Sequence, residues 1–164
     1  MNKNTRLFSF LPVALLLALG GAGVARAATF DVSTTAELEA AVASANALPG
    51  ADTINPAPGL YTPSATLVIA DDLTINGSGP PGSVIDGSGL LFSVFIVSAT
   101  SAIFNALTIR NGGEGIQYAN GTATTLLRVD GSTITANAAG IAVGTGAAEI
   151  VNSTISGNDI GYTR

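Results

Sequence analysis

The six residues Ser132-Thr133-Ile134-Thr135-Ala136-Asn137 return 21 positions later as Ser153-Thr154-Ile155-Ser156-Gly157-Asn158. Leu107-Thr108-Ile109-Arg110-Asn111 is an earlier relative, and Leu73-Thr74-Ile75-Asn76-Gly77 an earlier one still. In each, an apolar residue sits between two polar ones, and Asn or Gly follows. Alternation at period two marks a strand with one buried face. Asn and Gly tolerate the left-handed backbone of a tight turn. Ile85, Ile109, Ile134 and Ile155 are separated by 24, 25 and 21 residues. A strand-plus-turn unit recurring at that period cannot bury its apolar row alone and must stack on copies of itself. The spacing therefore predicts an all-β chain, a right-handed parallel β-helix (solenoid) with those isoleucines in one internal column. Asn111, Asn137 and Asn158, just after the strands, are expected to form a ladder of amide hydrogen bonds.

Composition suits such a fold. Charged residues make up only 10% of the chain and glycine is abundant, as short strands with tight turns require. The chain has no cysteine, which removes disulfides and thiolate metal sites, and no histidine, which removes the commonest general base and metal ligand.

Residues 1–27 read as a secretory signal peptide. Lys3 and Arg6 give its positive start, Leu7 to Leu19 its apolar centre, and Ala25-Arg26-Ala27 a cleavage site with cutting before Ala28. An uncleaved membrane anchor is the alternative, but the apolar run is shorter than the ~20 residues a spanning helix needs, and no second span follows. Cutting removes three of the six basic residues (Lys3, Arg6, Arg26) and none of the 11 acidic ones, leaving a net charge of −8. With only Arg110, Arg128 and Arg164 left, the mature chain has no electrostatic footprint for nucleic acid or for an anionic membrane.

Residues 28–50 read as an N-terminal cap. A short strand over Thr29 to Val32 precedes an α-helix over Thr35 to Leu48. Thr34 and Glu37 have capping-box spacing, and Leu38, Val42, Ala45 and Leu48 share a face. Pro49-Gly50 stops the helix. A solenoid needs such cover, because its first coil otherwise exposes core and unpaired strand edges. Residues 51–164 are the coils, with two or three strands each. Strands are expected at Asp52 to Ile54, Leu60 to Thr62, Thr66 to Ile69, Leu73 to Asn76, Ser83 to Asp86, Leu91 to Ser98, around Leu107 to Ile109, Gly115 to Tyr118, Leu126 to Val129, Gly140 to Val143 and Glu149 to Val151, besides the two last repeats. Leu91 to Ser98, continuously apolar, reads as a well-buried strand. The chain is expected to be short or truncated, stopping part-way through a coil and leaving an open strand edge beside Ile155 and Ile160. That edge invites weak self-association.

From Thr29 onward the chain resembles secreted right-handed parallel β-helix proteins of bacteria, of the pectate-lyase-like superfold. "AELEAAVASANALPGADTI" followed by "PGLYT" is similar to their capping segment, and "DDLTINGSGPPGSVIDGSG" to their first coils. "STITANAAGI" and "NSTISGNDIG" resemble repeats also found in polymorphic outer-membrane proteins and large adhesins. The resemblance implies a β-helix and one of two activities: surface binding, or cleavage of acidic polysaccharide. Lyases of this fold hold calcium with clustered carboxylates and use Arg or Lys as base. Its hydrolases add a histidine to paired aspartates, which this chain cannot supply.

Asp71-Asp72 is the nearest approach to a carboxylate pair, but neighbours on a strand point to opposite faces, so the pair serves one site only at a turn. Asp86 and Asp130 precede Gly87 and Gly131 as turn formers do. Arg110 and Arg128 read as exposed charges that also suit a carboxylate sugar. Glu114 lies in a glycine-rich turn without the repeated aspartates of a calcium β-roll. Sequons at Asn76, Asn120 and Asn152 read as chance products of the composition. The outward positions Thr74/Asn76, Thr108/Arg110, Thr133/Thr135 and Thr154/Ser156 are expected to stack into a hydroxyl-rich strip. Such a strip suits a glycan or, less well because Arg110 interrupts it, ordered water such as ice. The bland account is that Thr favours exposed strand positions. The expected function is thus a non-enzymatic, secreted or cell-envelope protein of adhesin type that binds polysaccharides or other surface ligands, with no cofactor. The alternative is a pectate-lyase-like enzyme, and calcium enters only there.

Overall fold

The computed structural model describes residues 26–88, 91–119 and 126–164. Most of the expected signal peptide (residues 1–25) and the sequon at Asn120 lie outside the described residues. A strand β1 (Thr29–Val32) and a helix α1 (Thr35–Ala47) precede five coils of three strands each. Coil one is β2 (Asp52–Pro56), β3 (Gly59–Tyr61) and β4 (Leu67–Ile69); coil two is β5 (Leu73–Asn76), β6 (Ser83–Asp86) and β7 (Phe95–Val97). Coil three is β8 (Ser101–Asn105), β9 (Thr108–Arg110) and β10 (Glu114–Tyr118). Coil four is β11 (Leu126–Asp130), β12 (Thr133–Thr135) and β13 (Ala139–Val143), and coil five is β14 (Ala147–Val151), β15 (Thr154–Ser156) and β16 (Ile160–Thr163). Coil five thus places one strand on each of the three sheets.

The first strands of the coils, with β1, form the six-stranded sheet A; the second and third strands form the five-stranded sheets B and C. All pairings are parallel, so the chain is a β-solenoid of three faces. In sheet B the register stacks Tyr61, Ile85, Ile109, Ile134 and Ile155 in one inward column, as the repeat predicts. Sheet A contributes Ile54, Ile75, Phe104 and Val129, and sheet C contributes Phe95, Ile116 and Ile141, all fully buried. Phe95 and Phe104 meet edge to face at 4.9 Å between ring centres. Each buried aliphatic side chain contributes ~1.5–3 kcal/mol.

The cap is built as its sequence reads. Thr34 and Glu37 satisfy each other's backbone donors, and Leu38, Ala41, Val42 and Ala45 are buried. Leu48 is the exception: as the C-cap it has extended backbone and stays 42% exposed. The helix also serves the strand edge it covers. Asn46 donates to Val68 O (2.8 Å) and accepts from Ala70 N (2.9 Å), so one amide stands in for a neighbouring strand beside β4.

Four sequence expectations need correction. Leu73–Asn76 belongs to sheet A, not to the face that carries the other three repeats. Strand β8 was not anticipated, because outward Ile103 beside inward Ala102 and Phe104 hides the alternation. Leu91 to Ser98 is not one buried strand: only Phe95–Val97 pairs, while Leu91 and Phe92 are 87% and 71% exposed. Coil two has the longest connections at two of its corners, six residues between β5 and β6 and eight between β6 and β7. The asparagine ladder, finally, is one residue out of register at Asn111. The left-handed turn position is filled in turn by Asn111 (φ 61), Ala136 (φ 56) and Gly157 (φ 64), so Asn137 and Asn158 lie one residue further on. They stack as expected, Asn137 Nδ2 donating to Asn158 Oδ1 at 3.0 Å. Below them the column continues as Gly112, whose N–H donates to Asn137 Oδ1 at 2.9 Å.

Candidate functional site

The predicted strip is assembled in part. Thr108, Thr133 and Thr154 form one outward row of sheet B; Arg110, Thr135 and Ser156 form the next. Thr74 and Asn76 are on sheet A, paired with Ile103 and Asn105, and do not join them. Thr108 is itself covered, at 8% exposure. Thr133 and Thr135 are half-buried, and Thr154 and Ser156 are exposed.

Arg110 closes the strip by binding Asp86, Nε to Oδ2 at 2.7 Å. Asp86 also accepts from Asn111 Nδ2 (3.0 Å to each oxygen), from Ser88 N (2.9 Å) and from the Ser88 hydroxyl. Burial alone would raise its carboxyl; the hydrogen bonds from Ser88, Asn111 and Arg110 outweigh burial and hold it down at about 2. A carboxylate so fully donated to is a turn clamp and a poor proton acceptor.

Asp71, Asp72 and Asp130 are likewise engaged. Asp71 accepts from Asp72 N (2.8 Å), while Asp72 receives Thr100 Oγ1 (2.5 Å) and Ser101 N (2.8 Å) from the next coil. They therefore do not share one site. Arg128 binds Asp130 (2.8 Å) and Glu149 (2.6 Å) on the outer face of sheet A, and the bonds from Arg128 and Asn152 lower the Asp130 carboxyl. Among the described residues no three acidic side chains converge as a metal site would need. Sheet A carries a second ladder that sequence reading missed. Asn105 donates to Asn76 (2.9 Å), Asn76 to Asn55 (3.3 Å) and Asn55 to Asp31 (2.9 Å). Its signal was present: an Asn or Asp directly follows each inward Ile or Phe of that sheet from coil one to coil three.

The exposed pair Leu91-Phe92 makes a further site. It rests on Gly113, whose N–H donates to Phe92 O at 2.9 Å. A Cβ on Gly113 would sit 3.2 Å from Phe92 O, so a larger residue there would push the loop back by a few tenths of an ångström. Beside it runs a groove of ≈ 380 Å³ lined by Leu91, Phe92, Gly113, Glu114, Ala138, Ala139, Asp159 and Ile160. Small residues make its floor and two carboxylates flank it. Glu114 is oriented by Ser93 Oγ, which donates to it at 2.7 Å. In comparisons with known proteins the chain matches no family model, no curated sequence and no solved structure.

Proposed function

We propose that the chain is a bacterial, secreted or cell-envelope β-helix protein of adhesin type that binds polysaccharide in the groove beside Phe92 without cleaving it. The observation that carries this reading is the Phe92 side chain, 71% exposed, next to the Glu114 and Asp159 carboxylates over a floor of Gly113, Ala138 and Ala139. A sugar ring offers C–H faces that pack on an aromatic wall and hydroxyls that donate to carboxylates. Thr135 and Ser156, a few residues before the groove in each coil, extend the hydroxyl surface. A mature charge of −8 favours neutral or cationic sugars over uronates. What supports binding rather than chemistry is the engagement of Asp71, Asp72 and Asp86 in turn contacts. Among the described residues no helix is long and apolar enough to cross a membrane. Weak self-association through the edge strands of coil five belongs to the same reading.

Titration of the purified protein against neutral, cationic and acidic polysaccharides tests it. Saturable binding is expected, strongest for the neutral or cationic ones and removed by Phe92→Ala with no change in urea midpoint. Pectate should yield no unsaturated products with or without calcium. Calcium-dependent release, lost when Asp71 and Asp72 become Asn, would overturn the proposal in favour of a lyase.

A further inference from the structure

Asp52 opens β2 and is buried at 1% exposure. Its Oδ1 accepts the main-chain nitrogen of Ala28 at 2.6 Å, while its Oδ2 is buried with no hydrogen-bond partner. One amide proton thus serves two carboxylate oxygens shut away from water, a poor arrangement for an anion. The contact is well anchored. Thr53 N donates to Ala28 O at 2.9 Å, Asp52 N donates to Asp72 O at 3.0 Å, and β1 starts at the next residue, Thr29. Ala28 is also the residue that follows the small-x-small sequence Ala25-Arg26-Ala27.

We propose that Asp52 is a receptor for a new N-terminus: cleavage between Ala27 and Ala28 creates an α-ammonium that forms a buried ion pair with Asp52 and locks β1 onto the first coil. The proposal rests on the reading of the chain as secreted, with a leader peptidase as the cutting enzyme. Hydrolysis breaks the Ala27 carbonyl carbon–Ala28 nitrogen bond. Water's hydroxyl completes the Ala27 carboxyl and its hydrogen goes to the Ala28 nitrogen. An α-amine, with an ordinary pKa of roughly 7.7–8.0, then takes a further proton from solvent at neutral pH. The single N–H that faces Asp52 becomes three, enough for both oxygens, and the orphaned Oδ2 gains a donor. The carboxylate gains its counter-charge at the same atom.

The sequence isolates the test. Lys3 is the sole lysine, so a chain cut before Ala28 has a single amine, that of Ala28 itself. The full chain is expressed with its leader in an exporting bacterial host, and the intact mass of the exported product gives its N-terminus. The product is then treated with an amine-acylating reagent in native buffer and in denaturing urea. The expected N-terminus is Ala28, and native labelling should be at least about tenfold slower than unfolded labelling, the ratio that one pKa unit of preferential interaction represents. Asp52→Asn should bring the native rate close to the unfolded one. A second variant guards against its failure to fold: one glycine inserted after Ala27 moves the amine a residue away and should lower the urea midpoint and speed labelling. A chain that stays uncut, or is cut elsewhere, overturns the proposal together with the secretion reading. A chain cut at Ala28 overturns the ion pair alone if its amine reacts freely, or if the inserted glycine leaves the midpoint unchanged.

Discussion

Ile134 and Ile155 occupy the same position in successive repeats, but they are not equally covered. Ile134 lies between Ile109 and Ile155 and is fully buried; Ile155, in coil five, is only partly buried against the core. Truncating Ile134 to Ala empties a closed site between coils, which costs about 2–5 kcal/mol. Truncating Ile155 forfeits only the burial of its covered side and leaves no closed cavity, so about 1 kcal/mol is expected. At a urea slope of ~1–3 kcal/mol/M the first change lowers the midpoint by at least about 0.7 M and the second by about half as much or less. Ile134→Asp, an unpaired charge between coils, should not fold, while Thr135→Asp one residue away faces outward and should change little. Urea unfolding followed by circular dichroism at low and high protein concentration measures all four. Equal losses for the two Ala variants at every concentration would mean that coil five is as covered as coil four. Similar midpoints for the two Asp variants would mean that the inward register is wrong. A gap between the Ala variants that closes as concentration rises would be the signature of self-association.

Asp86 makes stability depend on acid. Its folded pKa of about 2 lies below the ordinary 3.8. Its contribution, about 2 kcal/mol, is therefore complete above about pH 4 and fades as pH falls towards 2. Asp86→Asn should flatten the fall of urea midpoint across that window; an unchanged acid limb would assign the effect to Glu37, Glu39 and Asp130, whose carboxyls are also lowered. Asn137→Ala should cost about 1–3 kcal/mol, because it strands buried backbone groups. The Gly112 amide, which donates to Asn137 Oδ1 at 2.9 Å, should then exchange faster with solvent, and unaltered protection would refute the ladder's role.

The solenoid was legible because its rule is local. An apolar residue between polar ones, repeated at coil length, places Ile85, Ile109, Ile134 and Ile155 without knowledge of any long-range contact. The cap was legible for the same reason, since Thr34 and Glu37 carry their own geometry. What sequence could not supply was face assignment when coil length varies. Leu73-Thr74-Ile75-Asn76 has the same pattern as Leu107-Thr108-Ile109-Arg110, and only the register of the intervening strands puts them on different sheets. That ambiguity detached Thr74 and Asn76 from the strip. The Phe92 groove was hidden by the hydrophobic rule itself: Leu91 and Phe92 read as core, yet the paired strand begins only at Phe95 and both side chains are exposed. The partner of Asp52 was hidden because Ala28 and Asp52 meet only through the pairing of β1 with β2 across the intervening helix.

Asn46 binding the edge of β4 has a consequence for how the fold grows. The residues that close off the first coil precede that coil in the chain, so the lid and the strands it covers are close in sequence. Each later coil then meets a finished surface on which to lay its three strands, since contacts run almost entirely between neighbouring coils. Nearest-neighbour contacts of that kind allow growth from the capped end, each completed turn offering a template for the next.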